Sequence, residues 1–99
     1  MAYTYRVSAN ALRRIQEAVV YLENVQQGFG MAFDAELQDC MTHICEFPEM
    51  APPLYENRRK AYLSRFKYHI VYSVHHDRKE IVIHTVVHHS REEGKWKEK

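Results

Sequence analysis

The stretch Arg58–Arg91 reads RRKAYLSRFKYHIVYSVHHDRKEIVIHTVVHHSR, and its alternation of apolar and polar residues decides the fold. Residues 58–64, 68–75 and 80–88 each repeat with a period of two, as strands with one buried face do. His76-Asp77-Arg78-Lys79 interrupts the pattern and predicts the turn between the last two strands. An antiparallel meander follows. With Asp77 and Arg78 in that turn, Tyr68, Ile70, Tyr72 and Val74 share a face with Val87, Thr85, Ile83 and Ile81. This set is apolar enough to be the core. The opposite face carries Lys67, His69, Val71, Ser73 and His75 against His88, Val86, His84, Val82 and Glu80. It is too polar for a core and too apolar for plain solvent, which suits a concave binding surface or one covered by a partner or the C-terminal tail.

Upstream, the period changes. Tyr3–Val7 alternates and reads as a short strand. Ser8 then offers a hydroxyl to the orphan backbone donors of a helix over about 9–25. Leu12, Ile15, Val19 and Leu22 form its apolar stripe. Gly28 and Gly30 mark a tight connection to a second helix over about 31–47, whose buried stripe is Phe33, Leu37, Cys40/Met41, Ile44 and Phe47. Pro48, Pro52 and Pro53 end that helix and impose an extended loop. The short connection implies an antiparallel helical hairpin. The expected fold class is therefore α+β, a strand and a helical hairpin followed by a three-stranded antiparallel meander. Ninety-nine residues make one domain, 1–99, with a charged tail that reads as mobile from about residue 92.

Composition narrows the class further. Apolar residues make up 45% of the chain, as in ordinary globules, and no apolar run approaches the ~20 residues that cross a bilayer. The N-terminus lacks the charged-then-apolar order of a signal peptide, so the expected compartment is the cytoplasm. Cys40 and Cys45 lie five apart on one expected helix, ~9 Å between Cα atoms, too far for a disulfide. Free thiols are expected. Charge is divided: residues 1–57 hold three Lys/Arg against eight Asp/Glu, whereas residues 58–99 hold eleven against five. Six of the seven histidines lie in the second part. An acidic helical layer and a basic sheet face or tail follow from this split.

The order of elements resembles the RelE/ParE toxins of bacterial type II toxin–antitoxin, or plasmid stabilisation, systems. Local patterns carry the resemblance along nearly the whole chain. These are Val7-Ser8 leading the first helix, Phe33 and Leu37 along the second, and the Phe47-Pro48 stop. Then come Arg59-x-x-x-Leu63-x-x-Phe66-x-Tyr68-x-Ile70-x-Tyr72, His88-x-x-Arg91 and Trp96 near the end. The style is closer to the ParE-like branch, with Lys67 standing where such chains commonly have proline. ParE-like membership implies a growth-inhibiting protein that poisons DNA gyrase without hydrolysis of its own and is neutralised by a cognate antitoxin. The RelE-like branch implies a ribosome-dependent mRNA endoribonuclease. An inactive toxin-fold binding protein is the third reading.

Each reading uses the same basic residues. Metal-independent RNA cleavage needs a base for the 2′-OH, a cation for the phosphorane and an acid for the leaving oxygen. His88 would serve as acid or base, with Arg59 and Arg65 as phosphate clamps and Lys67 opposite His88. As a binding surface for antitoxin or target, Arg58, Arg59, Arg65, Lys67, His69, His89, Arg91 and Trp96 are the candidates. The antitoxins of this superfamily wrap a disordered segment around the toxin, and its carboxylates would meet these cations. No metal and no cofactor is expected. His84 and His88 are ~13 Å apart along a strand, and the pairs His75-His76 and His88-His89 each point to opposite faces.

Overall fold

The structure, a computed structural model, describes residues 3–88. The chain order is β1 (Thr4–Val7), α1 (Ala9–Val25), α2 (Phe29–Glu46), β2 (Pro53–Tyr55), β3 (Arg58–Tyr62), β4 (Tyr68–His75) and β5 (Glu80–His88). The α+β class and the meander are as expected, but the sheet has five strands in the order β1-β5-β4-β3-β2. Two strands lie outside the meander. β1 joins β5 in parallel, Thr4 beside Glu80 and Val7 beside Ile83. β2 extends the other edge where a plain loop was expected, pairing Pro53 with Arg59. An edge strand tolerates Pro53 because a proline has no ladder donor to give.

The helices cover one face. Ser8 caps α1, its Oγ accepting from the Ala11 N–H at 3.1 Å. Ala11, Ala18 and Leu22 are its buried positions, while Leu12 is half exposed. Ile15, Val19 and Leu22 of the expected stripe pack in or against the core, whereas Ala11 and Ala18 are buried in place of Leu12. α2 begins at Phe29, two residues earlier than expected, and Phe47 caps its end with an exposed ring rather than joining the core. Gly28 precedes α2 with φ +94°, a conformation that L side chains resist. Having no side chain to cap α2, the chain uses Glu23 of α1 instead. Its carboxylate accepts from the Gly28 and Gly30 N–H groups at 3.0 Å each, and these bonds hold it below the usual carboxylate range.

Between the layers lie Phe33, Leu37, Ile44, Ile70, Tyr72, Ile81 and Ile83, none more than 1% exposed. Each such side chain removed from water contributes ~1.5–3 kcal/mol against the entropy of ordering the chain. Polar bonds close the ends of the core. The Tyr3 hydroxyl lies 2.6 Å from His76 Nδ1, and His76 Nε2 lies 3.0 Å from Glu49, tying β1 and the α2–β2 segment to the β4–β5 turn.

The β4–β5 register holds one correction. Near the turn it is as expected, with Tyr72 beside Ile83 and Val74 beside Ile81. Farther out, Val71 pairs with Thr85, so His84 is an extra residue and forms a β-bulge. Beyond it every side chain changes face. Val86, not Thr85 or Val87, completes the core, and Tyr68 rather than Lys67 stands opposite His88.

Candidate functional site

Beside the bulge a polar cluster lies on the face of the sheet away from the helices. Ser73, 1% exposed, holds its Oγ 2.9 Å from His75 Nε2 and 2.7 Å from His84 Nε2. One hydroxyl has one proton, so when both rings are neutral it donates to one and accepts from the other. Cross-strand pairing puts Arg58 beside Ser73 on one side, and Arg6 beside Val82, itself the partner of Ser73, on the other. Burial holds the His84 imidazole below the usual histidine range, and the charges of Arg58, His75 and Arg6 press the same way. The bulge backbone is fixed from α1, since Ser8 Oγ and Asn10 Nδ2 both donate to the His84 carbonyl, at 3.0 and 3.2 Å. Glu80 balances part of the charge, meeting Arg6 at 3.6 Å and Arg78 at 3.1 Å.

Along β3 this face continues with Lys60, whose Nζ stands 5.1 Å over the Tyr62 ring. The Arg58 guanidinium lies 6.0 Å from the Tyr55 ring. His69 is fully buried with its ring against Tyr62, so it lines the sheet instead of presenting an exposed nitrogen.

The three residues expected to cooperate in catalysis lie on different elements. Arg59 points to the helix side, where its Nη1 donates to the Ala51 carbonyl at 2.7 Å. Arg65 sits in the exposed β3–β4 loop with its guanidinium 5.5 Å from the Phe66 ring. That loop is anchored by Glu36, which accepts from Ser64 Oγ at 2.7 Å and from the Arg65 N–H at 3.2 Å. His88 lies past the bulge with its ring edge-on to Tyr68, beside a cavity of about 200 Å³ lined also by Arg14, Glu17 and Tyr21 of α1. Lys67 is exposed in the same loop as Arg65. Of the binding candidates, only Arg58 belongs to the histidine cluster. His89, Arg91 and Trp96 lie outside the described residues.

Ser73, His75 and His84 lie on the outer face that alternation predicts, yet none of the three is among the candidates that the sequence singles out. The available signal was two histidines and a serine on the outward-facing positions of one hairpin. Their hydrogen bonding through one hydroxyl is what the residue types alone do not announce. Cys40 and Cys45 are free, and burial pushes both thiols up, with Glu36 adding to the effect at Cys40. Neither is set up as a nucleophile. Among the described residues no three His, Cys, Asp or Glu side chains gather to hold a metal ion, and no helix is long and apolar enough to cross a membrane.

Solved structures of the same fold are toxins. The isolated RelE toxin of E. coli superposes with a TM-score of 0.68 at 17% identity, covering 98% of this chain and 95% of that one. The intact RelBE toxin–antitoxin complex of E. coli gives 0.66 at 17%, over 86% and 94% of the two chains. The chromosomal ParDE system of P. aeruginosa gives 0.61 at 18%, over 89% and 96%. At such identities the likeness establishes the fold alone. No curated protein matches the chain in sequence. The family model described as the ParE toxin of the type II toxin–antitoxin system parDE does match, over residues 5–93. That span runs from β1 through both helices and the whole sheet, so the chain belongs to the ParE toxin family of type II toxin–antitoxin systems.

Proposed function

We propose that this toxin arrests growth by poisoning DNA gyrase through surface contacts, and that a cognate antitoxin neutralises it. For Arg59, Arg65 and His88, the engagement of Arg59 with the Ala51 carbonyl carries the reading. RNA cleavage through them would need an acid or base and two cations around one phosphate. Arg59 is instead occupied with a loop carbonyl, and His88 stands against Tyr68 on the helix side. The family match favours the same branch. Antitoxin binding is supported by the basic outer face and by the RelBE and ParDE neighbours, whose toxins were solved with their antitoxin systems.

Ribosome-dependent mRNA cleavage is the second reading. It is favoured by one observation, the nearness of Arg58 to two imidazoles at Ser73. A supercoiling assay with purified gyrase and the full-length toxin tests the first reading. Inhibition with accumulation of cleaved DNA is expected, reversed by antitoxin. Unimpaired supercoiling at a large excess of toxin would reject it.

A further inference from the structure

We infer that Arg6, Arg58, Ser73, His75 and His84 form a carboxylate site that takes an acidic side chain of the antitoxin together with a proton. The inference rests on the toxin–antitoxin reading and adds the place and the proton linkage. Four strands contribute to one small area: Arg6 from β1, His84 from β5, Ser73 and His75 from β4, and Arg58 from β3. The sole acidic group of the corner among the contacts described, Glu80, is shared between Arg6 and Arg78. On the α1 side the neighbours are Ser8 and Asn10, and the latter's Oδ1 accepts from Arg13, which also pairs with Glu17. Positive charge is therefore in excess around His84. A metal cation would be repelled, whereas an anion would be drawn in.

The size and surroundings of the patch select the anion. A nucleic acid backbone is matched by a continuous run of cations. Here the run of cations is broken: Glu80 stands between Arg6 and Arg78 at one end, and at the other Lys60 is buried beside the half-exposed ring of Tyr62. One carboxylate flanked by apolar side chains fits that layout, as in an acidic amphipathic peptide.

Binding of a carboxylate must change the histidines. In the free protein burial lowers the His84 pKa, and the nearby charges, those of Arg58 and Arg6 among them, act the same way. A carboxylate placed among them supplies the missing counter-charge and favours the imidazolium. The His84 pKa is then higher in the complex than in the free toxin. Binding takes up a proton between those two values, and by reciprocity affinity rises as pH falls through that window. A rise of one unit in the His84 pKa corresponds to an affinity gain of up to about tenfold.

Calorimetric titration of full-length toxin with its antitoxin, between pH 8 and pH 6 and in buffers of different ionisation enthalpy, tests this. We expect proton uptake and tighter binding at the lower pH. His84→Gln should abolish most of the uptake and flatten the rise in affinity between pH 8 and pH 6. Arg58→Gln should weaken binding at every pH. NMR titration of the His84 ring in the unmodified toxin, free and bound, provides the same answer if the variant fails to fold. An unchanged His84 pKa on binding, or uptake that survives His84→Gln, overturns the inference while leaving the toxin–antitoxin reading intact. Competition at the site by a short DNA or RNA strand, lost in His84→Gln, overturns the choice of a peptide ligand. Failure of the antitoxin to bind at any pH overturns the toxin–antitoxin reading itself.

Discussion

Arg59 and Tyr72 face each other across the β3–β4 pair, and both hold the segment that follows α2. Arg59 Nη1 donates to the Ala51 carbonyl at 2.7 Å, and the Tyr72 hydroxyl donates to the Pro48 carbonyl at 2.9 Å. The chain 48–51 must cross from the helical layer to the sheet edge without secondary structure of its own. Its carbonyls need donors, and these two side chains supply them.

Arg59→Ala should therefore act on stability. Loss of a charge-assisted bond to a part-buried carbonyl costs ~1.5–3 kcal/mol, and Tyr72→Phe, losing a neutral one, ~0.5–1.5 kcal/mol. Urea unfolding of the two variants measures both. If Arg59 were instead a phosphate clamp, Arg59→Ala would leave the unfolding midpoint unchanged and remove activity alone.

Gly30 brings the start of α2 tightly against Val19 and Glu23 of α1. A Cβ built there would lie 3.0 Å from the Val19 carbonyl oxygen and 3.1 Å from Val19 Cγ1. Alanine gains ~1 kcal/mol of helix propensity over glycine, but overpacking against backbone costs ~1–3 kcal/mol. The Val19 oxygen cannot rotate away, so the packing term wins. Gly30→Ala is expected to lower the thermal midpoint, and an unchanged or raised midpoint would mean that the helices separate at little cost.

Glu36 makes the β3–β4 loop sensitive to acid. Burial alone would raise its pKa, but bonds from Ser64 and from the Arg65 backbone, with the Arg65 charge, bring it below the usual value. A folded-state pKa below the unfolded one contributes stability above the unfolded value of about 4.3, lost as pH falls through the folded one. Amide exchange at Ser64 and Arg65 should accelerate in that acid window. In Glu36→Gln the two amides should exchange faster already at neutral pH, with a weaker response to acid.

Most of the fold was legible because its elements obey clean periods. The bounds of the helix over 9–25 and of the last two strands follow directly from residue spacing, a cap at Ser8 and a charged turn. What escaped is what local pattern does not encode. The parallel pairing of β1 with β5 joins segments more than seventy residues apart. β2 is three residues long and begins with proline, below the length at which alternation can be recognised. The bulge at His84 left its trace in the adjacent apolar pair Val86-Val87, where alternation fails. Without the strand across it, that pair does not say which valine faces inward. The same ambiguity displaced one candidate: the inserted residue moved His88 to the helix side.

The most direct test of the central claim is induction of the toxin without antitoxin, with gyrase-linked DNA breaks and mRNA 5′ ends mapped in the same cells. The account predicts growth arrest with gyrase-dependent breaks, no new mRNA ends, and the same outcome for His88→Ala. New codon-phased mRNA ends that vanish in His88→Ala or Arg65→Ala, with no gyrase-dependent breaks, would contradict it.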